Sequence, residues 1–204
     1  MRPLVLAAAL AATACTASIP GMGTIPPEPP QDTALTDRLL SERDLPPGFT
    51  ASGTPRVDRA ESDRPECEDA LTTLEVTGPR PPATQARAAF TDETGWMVVH
   101  SVHRYPGPAE TVLADLDAVL RDCASFTLTY PDGLSMTEEV RITGADPWTA
   151  DITVDSGALT VHDRLVLVPH GDRLSVLSVI GPESPDDALV DALADRAAEL
   201  VSLP

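Results

Sequence analysis

Apolar and polar residues alternate along two neighbouring stretches, Gln85 to Thr91 and Gly95 to Tyr105, joined by Asp92-Glu93-Thr94-Gly95. A period of two with a turn between predicts an antiparallel pair, and it puts Trp96, Val98, His100 and Val102 on one face. After Pro106-Gly107-Pro108 the period changes. Val112, Leu113, Leu116, Val119 and Leu120 recur at helical spacing and predict a helix over Ala109 to Cys123. Strands follow at Ser125 to Tyr130, Ser135 to Thr143, Asp151 to Asp155, Leu159 to Pro169 and Arg173 to Ile180, with turns at Pro131-Asp132-Gly133 and His170-Gly171-Asp172. A closing helix spans Pro185 to Leu203, its apolar stripe made by Ala188, Leu189, Ala192, Leu193, Ala197, Leu200 and Val201. Upstream, Ala34 to Arg43 reads as a short helix stopped by Pro46-Pro47, and a first strand starts near Phe49. Pro65 followed by acidic residues starts a second helix over Glu66 to Val76. Runs of sequential strands with helices packed on one face amount to an α+β fold, a single domain over residues 34–204.

The first residues follow a different rule. One positive charge, Arg2, precedes a short apolar run that ends in Ala12-Thr13-Ala14-Cys15. The run fits the h-region of an export signal and is too short to span a bilayer as a helix. Ala12-Thr13-Ala14-Cys15 resembles the lipobox of bacterial lipoproteins, with Ala12 where that motif usually carries an aliphatic residue such as Leu. The resemblance implies cleavage after residue 14 and a diacylglycerol on the Cys15 thiol. Two or three acyl chains of the palmitate kind then hold the chain on the cell membrane, since each buried CH2 is worth roughly 0.8 kcal/mol. The same residues satisfy the A-x-A pattern of an ordinary secretory signal, under which the product is released. Residues 15–33, with Pro20, Pro26, Pro27, Pro29 and Pro30, read as a tether.

Charge and cysteines narrow the setting. The net charge is -18, and all 14 basic side chains are arginine. So acidic a surface repels phosphate backbones and anionic headgroups, which argues against nucleic acid as a partner and against docking on the membrane surface. There are three cysteines, and lipidation of Cys15 leaves Cys67 and Cys123 as a pair, expected to be oxidised in an exported protein.

The remaining reactive residues do not assemble into a recognisable motif. His100 and His103 lie three apart on a strand, so they point to opposite faces and cannot share a metal ion. They are read as partly exposed strand histidines. His162-Asp163 and His170-Gly171-Asp172 offer a base beside a carboxylate, as a hydrolase would use, with no serine in a G-x-S-x-G or S-x-x-K setting. The acidic clusters at Glu66-Cys67-Glu68-Asp69, Asp92-Glu93 and Glu183 to Asp187 fall at turns and helix starts, where carboxylates are locally favourable. No cofactor is expected. Trp96 is assigned to the core. Trp148, after Asp146-Pro147 in a predicted loop, is assigned to the wall of a ligand cleft.

The order of elements resembles a known family. Leu39-Leu40 ahead of Asp44-Leu45-Pro46-Pro47-Gly48-Phe49, then Pro65-Glu66-Cys67, then Tyr105-Pro106-Gly107-Pro108-Ala109-Glu110 leading a helix into Arg121-Asp122-Cys123, are similar to the PknH-like extracellular sensor domains. These occur on bacterial receptor kinases and as free-standing lipoproteins. The resemblance implies a curved antiparallel sheet with helices on one side, a ligand cleft and no catalytic residue. Those domains typically carry two disulfides, where this chain can form one. The expectation is a membrane-anchored extracytoplasmic module that binds a small envelope ligand or a protein partner. An envelope hydrolase using His162 or His170, and a carrier of lipid or another apolar molecule, are the alternatives.

Overall fold

The computed structural model describes residues 30–53, 60–74 and 81–203. In chain order these form α1 (Thr33–Thr36), a 3-10 helix (Glu42–Asp44), β1 (Thr50–Ser52), β2 (Glu61–Ser62), α2 (Pro65–Leu74), β3 (Thr84–Thr91), β4 (Met97–Arg104), α3 (Ala109–Leu120), β5 (Ser125–Thr129), β6 (Ser135–Ala145), β7 (Trp148–Asp155), β8 (Thr160–His170), β9 (Arg173–Gly181) and α4 (Asp187–Ser202). The signal and most of the tether lie outside the described residues.

The strands make one nine-stranded sheet in the order β1-β3-β4-β9-β8-β7-β6-β5-β2, every neighbouring pair antiparallel. The β3–β4 pair forms with Ala88 opposite His100, and the Asp92 carboxylate closes the turn by accepting the Thr94 and Trp96 amides. The crossover from β4 to β9 places both in the interior of the sheet, so β4 has neighbours on each side.

Alternation along the central strands divides the core in two. Leu165 and Leu167 on β8 and Leu174 and Val176 on β9 face one side, with Trp148, Ala150 and Ile152 of β7, and pack against α2 and α3 through Ala70, Leu74, Leu116 and Leu120. Val166, Leu177 and Val179 face the other side with Val98 and Phe90, and pack against Val190, Leu193, Ala194 and Leu200 of α4. Helices therefore cover both faces, correcting the one-faced arrangement expected from the sequence. The strand order is the reason: the two middle strands, β8 and β9, are apolar at consecutive positions (Leu165-Val166-Leu167, Val176-Leu177) and need cover on each side. The fold remains sheet-rich, with short helices as two outer layers.

Cys67 of α2 is bonded to Cys123 just beyond α3, with Cα atoms 5.6 Å apart. The bond ties the two helices of one layer together.

The N-terminal stretch forms a strap across the other layer. Residues 30–33, assigned to the tether by composition, already bond to the sheet: Gln85 donates to the Pro30 carbonyl, Asp32 donates to the Gln85 carbonyl, and Gln31 makes a parallel bridge with Gln85. The helix expected over Ala34 to Arg43 is broken in two. Leu40 gives its amide to the Nδ1 of His100 instead of to a helical carbonyl, and Ser41 turns extended to cap the 3-10 helix.

Both sheet edges are short and blunted. Glu42 accepts the outward amide of Ala51 on β1, and Asp63 accepts the amide of Thr127 on β5 beyond the two residues of β2.

Candidate functional site

A shallow groove of about 500 Å³ opens between the strap and the β1 edge, lined by Leu40, Ser41, Glu42, Arg43, Ala51 and Phe90. Its floor is apolar: Leu40 and Phe90 are 3 % and 4 % exposed and belong to the core cluster beneath α4. The strap wall is held at three points. Leu40 donates to His100, Ser41 donates both its amide and its hydroxyl to the Asp44 carboxylate, and Arg196 of α4 donates to the same carboxylate at 2.9 Å. Burial on its own would raise the Asp44 pKa, but these donors outweigh it and hold the carboxyl below its usual range. Asp44 thus stays ionised and fixes the wall to α4.

His100 and His103 are not partly exposed, as the sequence suggested; both are 0 % exposed. They do point to opposite faces. His100 accepts from Leu40 at Nδ1, so its proton sits on Nε2, facing the Ser175 hydroxyl at 2.8 Å. Burial lowers its pKa to about 4, and lowers that of His103 to about 3, with the Arg87 charge adding to the effect. His103 meets the Tyr105 hydroxyl at 3.5 Å through Nδ1, while its Nε2 has no hydrogen-bond partner among the described residues.

Trp148 is not in a loop. It opens β7 opposite Ala145, directly after the cis Asp146–Pro147 bond, and is 3 % exposed. Its indole N–H donates to Asp117 of α3 at 2.8 Å. The ring therefore pins α3 to the sheet and presents no face to a ligand, which overturns its assignment to a cleft wall. Trp96 packs against the α4-side core, where its ring lies so close over Gly181 that a Cβ there would come within 2.4 Å of it.

The histidines considered for hydrolysis stay apart, His162 near the start of β8 and His170 at its end. His162 Nδ1 reaches the Thr153 hydroxyl at 3.5 Å, the outer limit of a hydrogen bond, and among the described residues no carboxylate bonds to its ring. Beside it a charged row crosses β6, β7 and β8: Asp151 accepts from Arg141 and Arg164, and Arg164 reaches on to Asp187 at the start of α4. Burial opposes the Arg164 charge, but Asp187 and Asp151 more than compensate and raise its pKa. The acidic clusters act locally. Glu66 pairs with Arg64 at the start of α2, Asp92 closes the β3–β4 turn, and Asp186 caps α4.

The groove was missed by sequence reading because its residues come from positions 40–43, 51 and 90, none carrying a motif. The one signal was the proline pair at Pro46-Pro47, which announces that the strap must turn there.

The sheet order, the two helical layers and the strap can be set against known structures. The chain superposes on the crystal structure of the extracellular domain of PknH from Mycobacterium tuberculosis with a TM-score of 0.63 at 12 % identity, covering 85 % of this chain and 98 % of that one. The two share a fold. A putative uncharacterized protein (Rv0999 ortholog) from Mycobacterium smegmatis aligns with a TM-score of 0.40 at 13 % identity, over 79 % of this chain and 89 % of that one. No protein-family profile matches the chain, and no curated protein matches it in sequence.

Proposed function

We propose that this chain is an extracytoplasmic binding module, moored on the cell membrane through acyl chains on Cys15, which takes up a small envelope ligand or a protein partner at the groove beside the strap. The observation that carries this reading is the fold correspondence with the extracellular domain of PknH, which accounts for 98 % of that domain. The export signal ending in Cys15 agrees with it, as does the Cys67–Cys123 bond, which suits an oxidising compartment. No helix among the described residues is long and apolar enough to cross a membrane. Binding is favoured over hydrolysis because the strap wall is held at three points beside an open groove, while among the described residues no carboxylate bonds to His162 or His170.

The test is mass spectrometry of the mature N-terminus together with metabolic labelling by an alkyne fatty acid. The expected result is an acylated N-terminal Cys15, with label lost and protein released into the medium for Cys15→Ser. An unlabelled wild-type chain starting at Cys15 would instead identify a secreted protein.

A further inference from the structure

The groove has an apolar floor and, on its wall, an arginine with no direct partner among the described residues. The described residues include ten of the 14 arginines. Nine of them have a partner, most often a carboxylate or the Leu203 carbonyl. Arg43, on the groove wall, has none among the described residues. This is unexpected in a chain with 32 acidic side chains, where anionic partners are abundant. Its two acidic neighbours in sequence are engaged elsewhere, Glu42 on the Ala51 amide at 2.8 Å and Asp44 on Ser41 and Arg196. The Arg43 guanidinium is thus left without a direct partner among the described residues, with the Glu42 carboxylate on the same wall, at the rim of an apolar trough whose wall is already fixed, so little ordering is needed on binding.

We infer that the groove selects single-chain anionic amphiphiles, a carboxylate head pairing with the Arg43 guanidinium while a short apolar tail lies over Leu40 and Phe90. Charge complementarity assigns the head, since a cationic group would meet Arg43 as a like charge. The floor assigns the tail, because the Leu40 and Phe90 side chains are hydrocarbon. Glu42 sets the limit on affinity: its carboxylate lies on the same wall and opposes an incoming anion. The inference rests on the groove being the ligand site.

The experiment titrates the full chain with octanoate, octanol and octylammonium, following the Leu40 and Ala51 amide resonances by NMR. Octanoate is expected to bind about fivefold more tightly than octanol, the scale of one solvent-facing ion pair, and octylammonium more weakly than either. Arg43→Gln should bring octanoate down to the octanol level without changing octanol binding, Arg43→Lys should retain the preference, and Glu42→Gln should tighten octanoate. Equal binding of octanoate and octanol, or a preference that survives Arg43→Gln, overturns the anionic selectivity while leaving the groove as an apolar site. If none of the three probes shifts the Leu40 and Ala51 resonances, the groove itself is not the ligand site.

Discussion

His100 shows how a single buried side chain can organise its surroundings. Its ring joins the strap to the central strands by accepting from Leu40 and facing Ser175, which works only while Nδ1 carries no proton. The folded pKa of about 4 lies below the unfolded value of roughly 6.5, so the unfolded chain binds the extra proton first. Stability is therefore intact above about pH 6.5 and is lost as pH falls toward 4, by on the order of 3 kcal/mol for this residue. His103, lowered to about 3, adds a loss of the same sign. Urea midpoints measured from pH 7.5 to 4 should hold down to about pH 6.5 and then fall, and His100→Gln, whose amide oxygen can still accept from Leu40, should flatten the slope. A wild-type midpoint constant over that interval would contradict the account. The alternation around His100 and His103 revealed their opposite faces correctly. Their burial was illegible, because it depends on β4 being a central strand with a helical layer on each side, and sequence alternation does not report strand order.

At the scale of elements, periodicity served best where one local pattern decides the matter. The β3–β4 pair, α3 and the β8–β9 hairpin match their predicted spans to within a few residues. α4 forms where expected, but its buried stripe runs through Val190 and Ala194, whereas Ala188 and Ala192 face solvent. Alanine fits either side of a helix at little cost, so it could not fix the rotation. Where tertiary bonds compete, the pattern fails. The strap helix breaks because His100 takes the Leu40 amide, and β7 begins at Trp148 because a two-residue turn with Asp146–Pro147 lets it pair with β6 at once. The α2–α3 layer relies on its covalent link, which closes a loop of 56 residues. Cys67→Ala with Cys123→Ala, or full reduction, is expected to cost up to about 4 kcal/mol in urea unfolding, through the greater freedom of the unfolded chain. A loss below about 1 kcal/mol would mean that helix packing alone holds this layer.

For the molecule as a whole, the two ends of the described chain clasp the same face. The strap buries Leu35, Leu40 and Leu45. It is fastened to α4 by Asp44 on Arg196 and by Arg38 on the Leu203 carbonyl, a cation placed where the helix dipole favours one. A chain shortened to begin after Leu45 is expected to lose on the order of 5 kcal/mol, since each buried leucine contributes about 1.5–3 kcal/mol. It should also bind more of a hydrophobic dye than the intact protein does. Unchanged stability on that deletion would show the strap to be a passenger. The groove was beyond sequence reading at this scale too, because it exists only once strap, β1 and β3 have met.

The blunted edges bear on how the protein behaves when crowded. An open sheet usually ends in two rows of unsatisfied backbone groups that invite strand-by-strand aggregation. Here the outermost strands are three and two residues long, and acidic side chains, Glu42 and Asp63, occupy amides at those borders. A second molecule finds no long template to extend and meets negative charge on approach. Many copies can then stand shoulder to shoulder without fusing into fibrils.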